Sequence, residues 1–542
     1  MTDARADLAF RAAGPMAPLQ RMATWTAGLA GWRRYVLATM LGAIAAAALS
    51  PIDLTPVLVI SFSGLVWLID GTTGRRDALA LGWSYGFGFF VAGLYWIAAA
   101  LFVDIASFWW LLPFAVFGLP AGFGIFSALA VLAVHEGIRR FGLSGSARIL
   151  VLAVAWTATE WLRGHILTGF PWNLIGYAWA GAFPGALAVL QSTAYIGIYG
   201  LSLITVAAAA LPARLGDFGR RRFWAVVAAA LLIAIPAIGG AARLAGATHA
   251  TVPGITLRLV QPSIPQTLKN DPAAEMQSFQ RLMALSASHG ADKVTDIIWP
   301  EAAAPPLMER YDGLRRRMAE VVPRGGLLLT GDERAEPLSG PVKRVWNSLV
   351  ALDSRGEILA TFDKAHLVPF GEYVPLRGVL PMDKITPGTL DFSAGSGPRT
   401  LKLPSLPPFS PLICYEAIFP GAVIDPTDRP AWLLNITDDA WYGVTSGPFQ
   451  HLAIARTRAV EEGLPLVRSA NNGVSAVFDG YGRLTGRLDL NVVGVLDTAL
   501  PVALAPTPFG GTGDGAFFVA ALALLAVAAS LSRIKERSGG TG

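Results

Sequence analysis

Hydrophobic and polar positions follow two different rhythms along this chain, and the change falls near residue 246. Before it, long apolar runs recur at about 35–49, 55–69, 78–102, 108–134, 149–162, 186–211 and 223–239. After it come short β-rich runs and amphipathic stretches, until a last apolar run at 516–531. Several of the long runs reach the ~20 residues that a helix needs to cross a bilayer. The runs at 35–49, 55–69 and 149–162 are shorter and would need tilt or polar flanks. The pattern predicts eight membrane-crossing helices, seven before the change of rhythm and one after it.

The loops between the runs carry a sign. Arg75 and Arg76 stand in the loop at 71–77, Arg139, Arg140 and Arg148 in 136–148, and Arg214, Arg220, Arg221 and Arg222 in 213–222. Arg533, Lys535 and Arg537 follow the last run, while the alternate loops near 51–53 and 104–107 hold neither Lys nor Arg. The excess of positive charge in alternate loops predicts both ends of the chain in the cytoplasm and the 240–515 segment on the far side. Residues 1–34 exceed a signal-peptide n-region and lead to no clear cleavage site, so they read as a retained cytoplasmic tail. The expected order is this tail, a bundle at 35–245, an outer domain at 246–505, a last helix at 510–532 and a tail at 533–542.

In the outer segment, β-rich runs at 255–260, 297–299, 326–330, 348–352, 357–362, 410–413, 432–436, 465–470 and 475–478 predict strands. Helical patterns stand at 273–288, 311–322 and 449–463. Ser354-Arg355-Gly356 predicts a hairpin between two of these strands, and Gly480-Tyr481-Gly482-Arg483 reads as another turn. Frequent strands with helices between them predict an α/β layered sandwich.

Composition agrees: 53% hydrophobic, 15% charged, 16 Trp and 27 Phe exclude an ordinary soluble protein. The net charge of +5 could suggest nucleic acid, but the basic residues sit beside apolar spans, where topology explains them. One cysteine excludes an internal disulfide, and six scattered His without metal-ligand spacing give no reason to expect a metal site. Trp156, Glu160, Trp161, Arg163, Trp172 and Tyr177 form a polar and aromatic patch at a predicted membrane boundary. It fits either an interfacial belt, with Glu160 and Arg163 paired one helical turn apart, or the wall of a lipid pocket.

Three polar residues stand where chemistry would want them. Cys414 follows the apolar Pro411-Leu412-Ile413, so its thiol falls at a strand-to-helix turn, a place that exposes a nucleophile above a sheet. Glu301 ends the strand at Asp296-Ile297-Ile298-Trp299-Pro300, and Lys364 follows another strand. Taken singly, each has a plain structural reading: an inert buried thiol, a helix cap and a surface lysine. Together they supply a nucleophile, a base to deprotonate it and a fixed cation for an oxyanion.

Trp299-Pro300-Glu301, then Asp363-Lys364-Ala365-His366-Leu367-Val368-Pro369-Phe370-Gly371-Glu372, then Ile413-Cys414-Tyr415-Glu416 resemble the carbon–nitrogen hydrolase (nitrilase) superfamily. Gly93-Leu94-Tyr95-Trp96, Glu160-Trp161-Leu162-Arg163, Gly169-Phe170-Pro171-Trp172, Asn435 to Gly443 and Gln450-His451-Leu452 narrow the resemblance to apolipoprotein N-acyltransferases. The resemblance implies a four-layer αββα nitrilase-like domain standing on about eight transmembrane helices, in a bacterial inner membrane with the domain on the periplasmic side. It implies acyl transfer from a phospholipid, typically phosphatidylethanolamine, to the α-amine of a diacylglyceryl-Cys at the N-terminus of an apolipoprotein, without a cofactor. By matching position, Cys414 would be the nucleophile, Glu301 the base and Lys364 the oxyanion cation. Glu372 and Glu416 would support them, and Tyr415 would give a backbone N–H to the oxyanion. Trp441 and Trp172 would contact substrate. Asn270 would lie on a loop at the site mouth where relatives carry Trp.

Two other readings compete. A membrane-tethered amidase would use the same triad with water as acceptor, though an anchor needs one span and not eight. A transporter or scaffold with a dead hydrolase domain would show repeated, broken helices, and no such symmetry is seen.

Overall fold

The computed structural model describes residues 18–217, 221–269, 271–379 and 382–539. Asn270 and residues 1–17 of the expected N-terminal tail lie outside these residues, and the rest of that segment is largely helical. The first half folds as helices α1 Pro18–Ala27, α2 Trp32–Ala45, α3 Val57–Asp70, α4 Arg75–Leu94, α5 Leu119–Phe141, α6 Ser146–His165, α7 Thr193–Ala210 and α8 Arg221–Ala245. Their apolar faces meet around Phe62, Tyr85, Phe89, Trp156 and Ile198, with the Phe62 and Trp156 rings 5.2 Å apart, edge to face.

Among the described residues, five helical stretches are long and apolar enough to cross a membrane: Arg75–Leu111, Phe114–Phe141, Thr193–Gly216, Arg222–Ala245 and Gly515–Arg533. The expected eight are therefore five by this measure. Helices α2 and α3 have only 14 residues each. Helix α6 has 20 but carries Arg148, Glu160 and Arg163. At one end of the bundle Arg34 pairs with Asp77, Arg75, Arg139 and Arg140 converge on Glu136, and Arg148 pairs with Asp70. Helix α6 starts there, and at its other end, ~30 Å away, the loop that follows it meets the outer domain, with Gly169 O accepting from Tyr415 Oη at 3.1 Å. The arginine-rich loops and the outer domain therefore stand at opposite ends of α6.

The outer domain is built from strands β1 Thr251–Gln261, β2 Asp296–Ile298, β3 Leu328–Glu336, β4 Arg344–Leu352, β5 Ile358–Asp363, β6 Leu401–Leu403, β7 Leu406–Ile413, β8 Trp432–Thr437, β9 Leu466–Ala470, β10 Ser475–Phe478, β11 Leu484–Leu488 and β12 Gly494–Pro501. They form two six-stranded sheets, ordered β12-β1-β2-β3-β4-β5 and β11-β10-β9-β8-β7-β6. Leu259, Ile298, Leu349, Phe409, Trp432 and Ile436 fill the space between the sheets. Helices α9 Pro272–Ser286 and α10 Asp312–Ala319 cover the outer face of the first sheet through Phe279, Leu282 and Met318. Helix α11 Gly447–Glu462 covers the second through Ala455 and Ala459. The order is helix, sheet, sheet, helix, as the resemblance implied.

Strands β6, β11 and β12 were not expected. β6 has three residues, and β11 and β12 are half exposed at sheet edges, so no apolar alternation marks them. Strand β3 also runs past the expected 326–330 into Gly331–Glu336, pairing with β4 as far as Glu336–Arg344. Its outer part reaches solvent, where a polar sequence is tolerated.

Helix α11 has a second face. Ala453, Ile454 and Val460 pack into the bundle core beside Tyr415, Ile418 and Phe419. Helix α7 is broken at Gly197, whose φ of 63° lies in the left-handed region. The backbone N–H of Ile198, freed by that break, donates to Glu461 Oε1 of α11 at 2.8 Å. Helix α12 Gly515–Gly539 returns to the bundle, and Trp161 Nε1 of α6 donates to Asp514 Oδ2 just before it, at 2.8 Å. It continues as helix through most of the segment expected to be a tail.

Candidate active site

Cys414 stands at the end of β7, a mostly buried strand flanked by β6 and β8, second from the edge of its sheet, where the chain turns into one 3₁₀ turn. Its φ is +50°, a conformation that a residue with a Cβ adopts only under constraint. The constraints are visible. Glu416 accepts from Ile413 N at 2.8 Å with one oxygen, and from Ala365 N at 2.8 Å and His366 N at 3.2 Å with the other. One carboxylate thus ties the exit of β7 to the loop that carries Lys364. Ala302, after Glu301, and Phe370, in the Lys364–Glu372 loop, also have positive φ, 45° and 64°. Backbone strain gathers around the three predicted residues.

Glu301 follows the short buried strand β2, and β3 passes directly beneath it. A Cβ on Gly331 would lie 2.7 Å from Glu301 Cα and 2.3 Å from Ala302 N, so only glycine allows this approach. Glu301 Oε1 accepts from Asn347 Nδ2 at 2.7 Å and lies 3.5 Å from Lys364 Nζ; its Oε2 accepts from Asp438 N at 2.8 Å. Lys364 Nζ donates to Glu372 Oε1 at 2.9 Å, and Asn347 Nδ2 reaches the same oxygen at 2.9 Å. Glu372 Oε2 accepts from Val368 N at 2.8 Å. The amide of Asn347 therefore bridges the two carboxylates that flank the ammonium.

Burial drives the electrostatics. It pushes the Glu301 carboxyl above the usual carboxylate range, and the Lys364 ammonium pulls it partly back. Burial would lower Lys364, but the adjacent Glu372 and Glu301 carboxylates outweigh it and hold the ammonium charged. Cys414 is only 6% exposed; burial first, then the Glu301 charge, pushes its thiol well up. The Glu416 carboxyl is raised to about 7 by burial. At rest the site therefore holds a neutral thiol beside a base of raised proton affinity and a fixed cation.

The three residues open on one cavity of about 1170 Å³, shared between domain and bundle. The bundle side is apolar, with Trp96, Leu101, Phe114, Leu119 and Phe123. Trp172 and Trp441 line it, as does Glu372. Tyr415 also faces it, and its hydroxyl donates to Gly169 O of the bundle at 3.1 Å. Arg163 lines the cavity too, but not as the partner expected for Glu160. It donates to the carbonyls of Phe170 and Trp172, the latter at 2.7 Å, while Glu160 accepts from Trp156 Nε1 and Ile175 N. Both charges are spent shaping the loop after α6, because that loop turns back over the helix end and exposes its backbone groups to them.

Sequence reasoning missed Asn347, Tyr442 and the polar cluster behind Cys414. Tyr442 Oη lies 3.8 Å from Cys414 Sγ. Asn347 and Ser348 interrupt the apolar run of a strand buried on both faces, a signal that could have marked them.

Two sheets between helical layers, with a lone thiol at a strand end beside a glutamate and a lysine, define a carbon–nitrogen hydrolase domain, here joined to a membrane bundle. The Carbon-nitrogen hydrolase model matches residues 256–507, and the Apolipoprotein N-acyltransferase N-terminal domain model matches residues 41–211. Apolipoprotein N-acyltransferase of Rhodopseudomonas palustris is 43% identical over 94% of this chain and 97% of its own. That of Bradyrhizobium diazoefficiens is 44% identical over 92% of this chain and 95% of its own. The chain belongs to the apolipoprotein N-acyltransferase family. Among solved structures, an amidase from Nesterenkonia sp. is similar over 47% of this chain and 94% of its own, at 19% identity and a TM-score of 0.33.

Proposed function

We propose that this protein transfers an acyl chain from a membrane phospholipid, with phosphatidylethanolamine the expected donor, to the α-amine of a diacylglyceryl-Cys at the N-terminus of an apolipoprotein. The observation that carries the reading is the lone thiol of Cys414, which shares with Glu301 and Lys364 a cavity whose far wall is the apolar membrane bundle. A donor anchored in the bilayer can deliver its ester to such a cavity without leaving the lipid.

In the first half-reaction Cys414 Sγ attacks the ester carbonyl as Glu301 takes the thiol proton. The oxyanion is held by Lys364 Nζ and the Tyr415 backbone N–H, the C–O bond breaks, and Glu301 returns the proton to the departing lyso-lipid oxygen. In the second, the acceptor amine attacks the thioester and gives a proton to Glu301. The C–S bond then breaks, and the proton returns to the Cys414 sulfur. Glu372 and Glu416 hold Lys364 and the nucleophile turn in place. Trp172 and Trp441 border the acyl path, and Asn270 would stand at the mouth. Apolar walls keep water from competing with the amine. The arginine-rich loops favour an inner-membrane orientation with this domain on the periplasmic side.

The test is the fate of the acyl group. Enzyme charged with phosphatidylethanolamine should pass its chain to a diacylglyceryl lipopeptide with a free α-amine and hold it when that amine is acetylated. Discharge to water at the same rate with either peptide would favour an amidase.

A further inference from the structure

Behind Cys414, away from the cavity, lies a second polar cluster that the mechanism above does not use. His451, Asp439 and Arg468 are completely buried. His451 Nε2 is 3.1 Å from the backbone carbonyl oxygen of Cys414. A carbonyl only accepts, so Nε2 carries the proton in either charge state of the ring. On the other side of the ring, Nδ1 is 3.0 Å from Asp439 Oδ1 and 3.1 Å from Arg468 Nη2. Arg468 Nη2 also donates to Asp439 Oδ2 at 2.7 Å, and Asp439 Oδ1 accepts from Thr437 Oγ1 at 3.0 Å. Burial and the Arg468 charge hold the ring below its usual pKa, which favours a neutral ring whose Nδ1 accepts from Arg468.

The direction of the one donor gives the cluster its purpose. The carbonyl it holds belongs to the residue whose φ of +50° aims the thiol, a conformation that relaxes readily unless the peptide after it is pinned. Glu416 pins the chain before the sulfur, through Ile413 N; His451 pins it after. The helix that carries His451 is itself set by the bundle: the neighbouring Gln450 Oε1 accepts from Trp172 Nε1 at 2.8 Å and from Trp96 Nε1 at 3.1 Å.

We propose that His451 is a positioning residue that holds the strained Cys414 turn through its Nε2–H, and so transmits the seating of the domain on the bundle to the nucleophile. The inference rests on the thioester reading above. Two variants separate the donor from the bulk: His451→Gln places an amide N–H near the position of Nε2, and His451→Leu removes it. Acyl-adduct formation on phosphatidylethanolamine micelles and alkylation of Cys414 by iodoacetamide are timed for each, beside thermal unfolding in detergent. Folded H451L should lose about 10²-fold or more in both rates, with H451Q within about tenfold of wild type and the KM for lipopeptide unchanged. Wild-type rates in folded H451L would overturn the proposal, as would equal losses in the two variants. If H451L does not fold, H451Q decides alone: a rate within tenfold supports the proposal, and a 10²-fold loss in folded protein overturns it. A wild type that is alkylated but never acylated would sink the thioester reading, while the alkylation rates still judge His451.

Discussion

Two of the places where the protein buries charge look alike and do different work. Around Glu301, Lys364 and Glu372, charges are buried within an accessible cavity beside a thiol. At the seam between α11 and the bundle, Arg458 and Glu461 pair at 3.0 Å with neither exposed, and Glu461 spends its other oxygen on the broken helix at Ile198. The first cluster meets a thiol and an open cavity; the second meets backbone and tyrosine, with Arg458 Nη2 donating to Tyr177 Oη at 3.2 Å. Perturbed ionisation alone does not separate them, since burial raises Glu301 and Glu461 alike. Access and a reacting partner do.

Substitutions in the two clusters should therefore have different consequences. The largest effect on rate is expected for Lys364→Ala, which removes the proposed oxyanion cation from both proposed half-reactions. Loss of one such donor costs about 3–4 kcal/mol, on the order of 10²–10³ in rate. Lys364→Arg should not restore it, because a planar guanidinium cannot fill the place of a compact ammonium between Glu301 and Glu372. Single-turnover acylation measures both.

A smaller loss is expected for Gly331→Ala. The added methyl meets backbone, at Ala302 N and Glu301 Cα, so the Glu301 loop must shift while Cys414 and Lys364 keep their own supports. A displacement of this size should slow acylation by about tenfold or more, with iodoacetamide alkylation of Cys414 falling in step if Glu301 assists the thiol. An unchanged rate would mean that the position of Glu301 matters little.

At the seam, Glu461→Gln should leave turnover near wild type and change stability instead. The Glu461 carboxyl is raised to about 8 by burial, against an ordinary 4.5. Between these values the native state binds more protons than the unfolded state, so its contribution to stability falls as pH rises. The variant keeps an acceptor for Ile198 N but does not titrate. Its melting temperature should therefore fall less than that of wild type between pH 4.5 and 8, which scanning fluorimetry in detergent can read. A variant with the wild-type slope would remove Glu461 from the account.

Much of this organisation is legible in the sequence, and the omissions have a common cause. Long apolar runs and Arg-rich loops depend on neighbours in the chain, and they announced the bundle. The count blurred where a helix is short, as α2 is with 14 residues, or charged, as α6 is, whose Arg148, Glu160 and Arg163 are buried against the rest of the protein. Cys414, Glu301 and Lys364 stood out as polar residues at the ends of apolar strands. Asn347 and His451 did not. Their meaning arises from contacts 46 and 37 residues away in the chain, with Glu301 and Cys414, and pairing at that range leaves no local period. The edge strands β11 and β12 escaped for a related reason, since half-exposed strands need no regular alternation.

In the proposed reaction the Cys414 sulfur carries the acyl chain. Intact-mass measurement of the purified protein after exposure to phosphatidylethanolamine, without acceptor, tests it most directly. One added acyl chain is expected on the wild type, released by hydroxylamine at neutral pH, and no adduct on Cys414→Ala. An acyl chain that attaches equally to Cys414→Ala would contradict it.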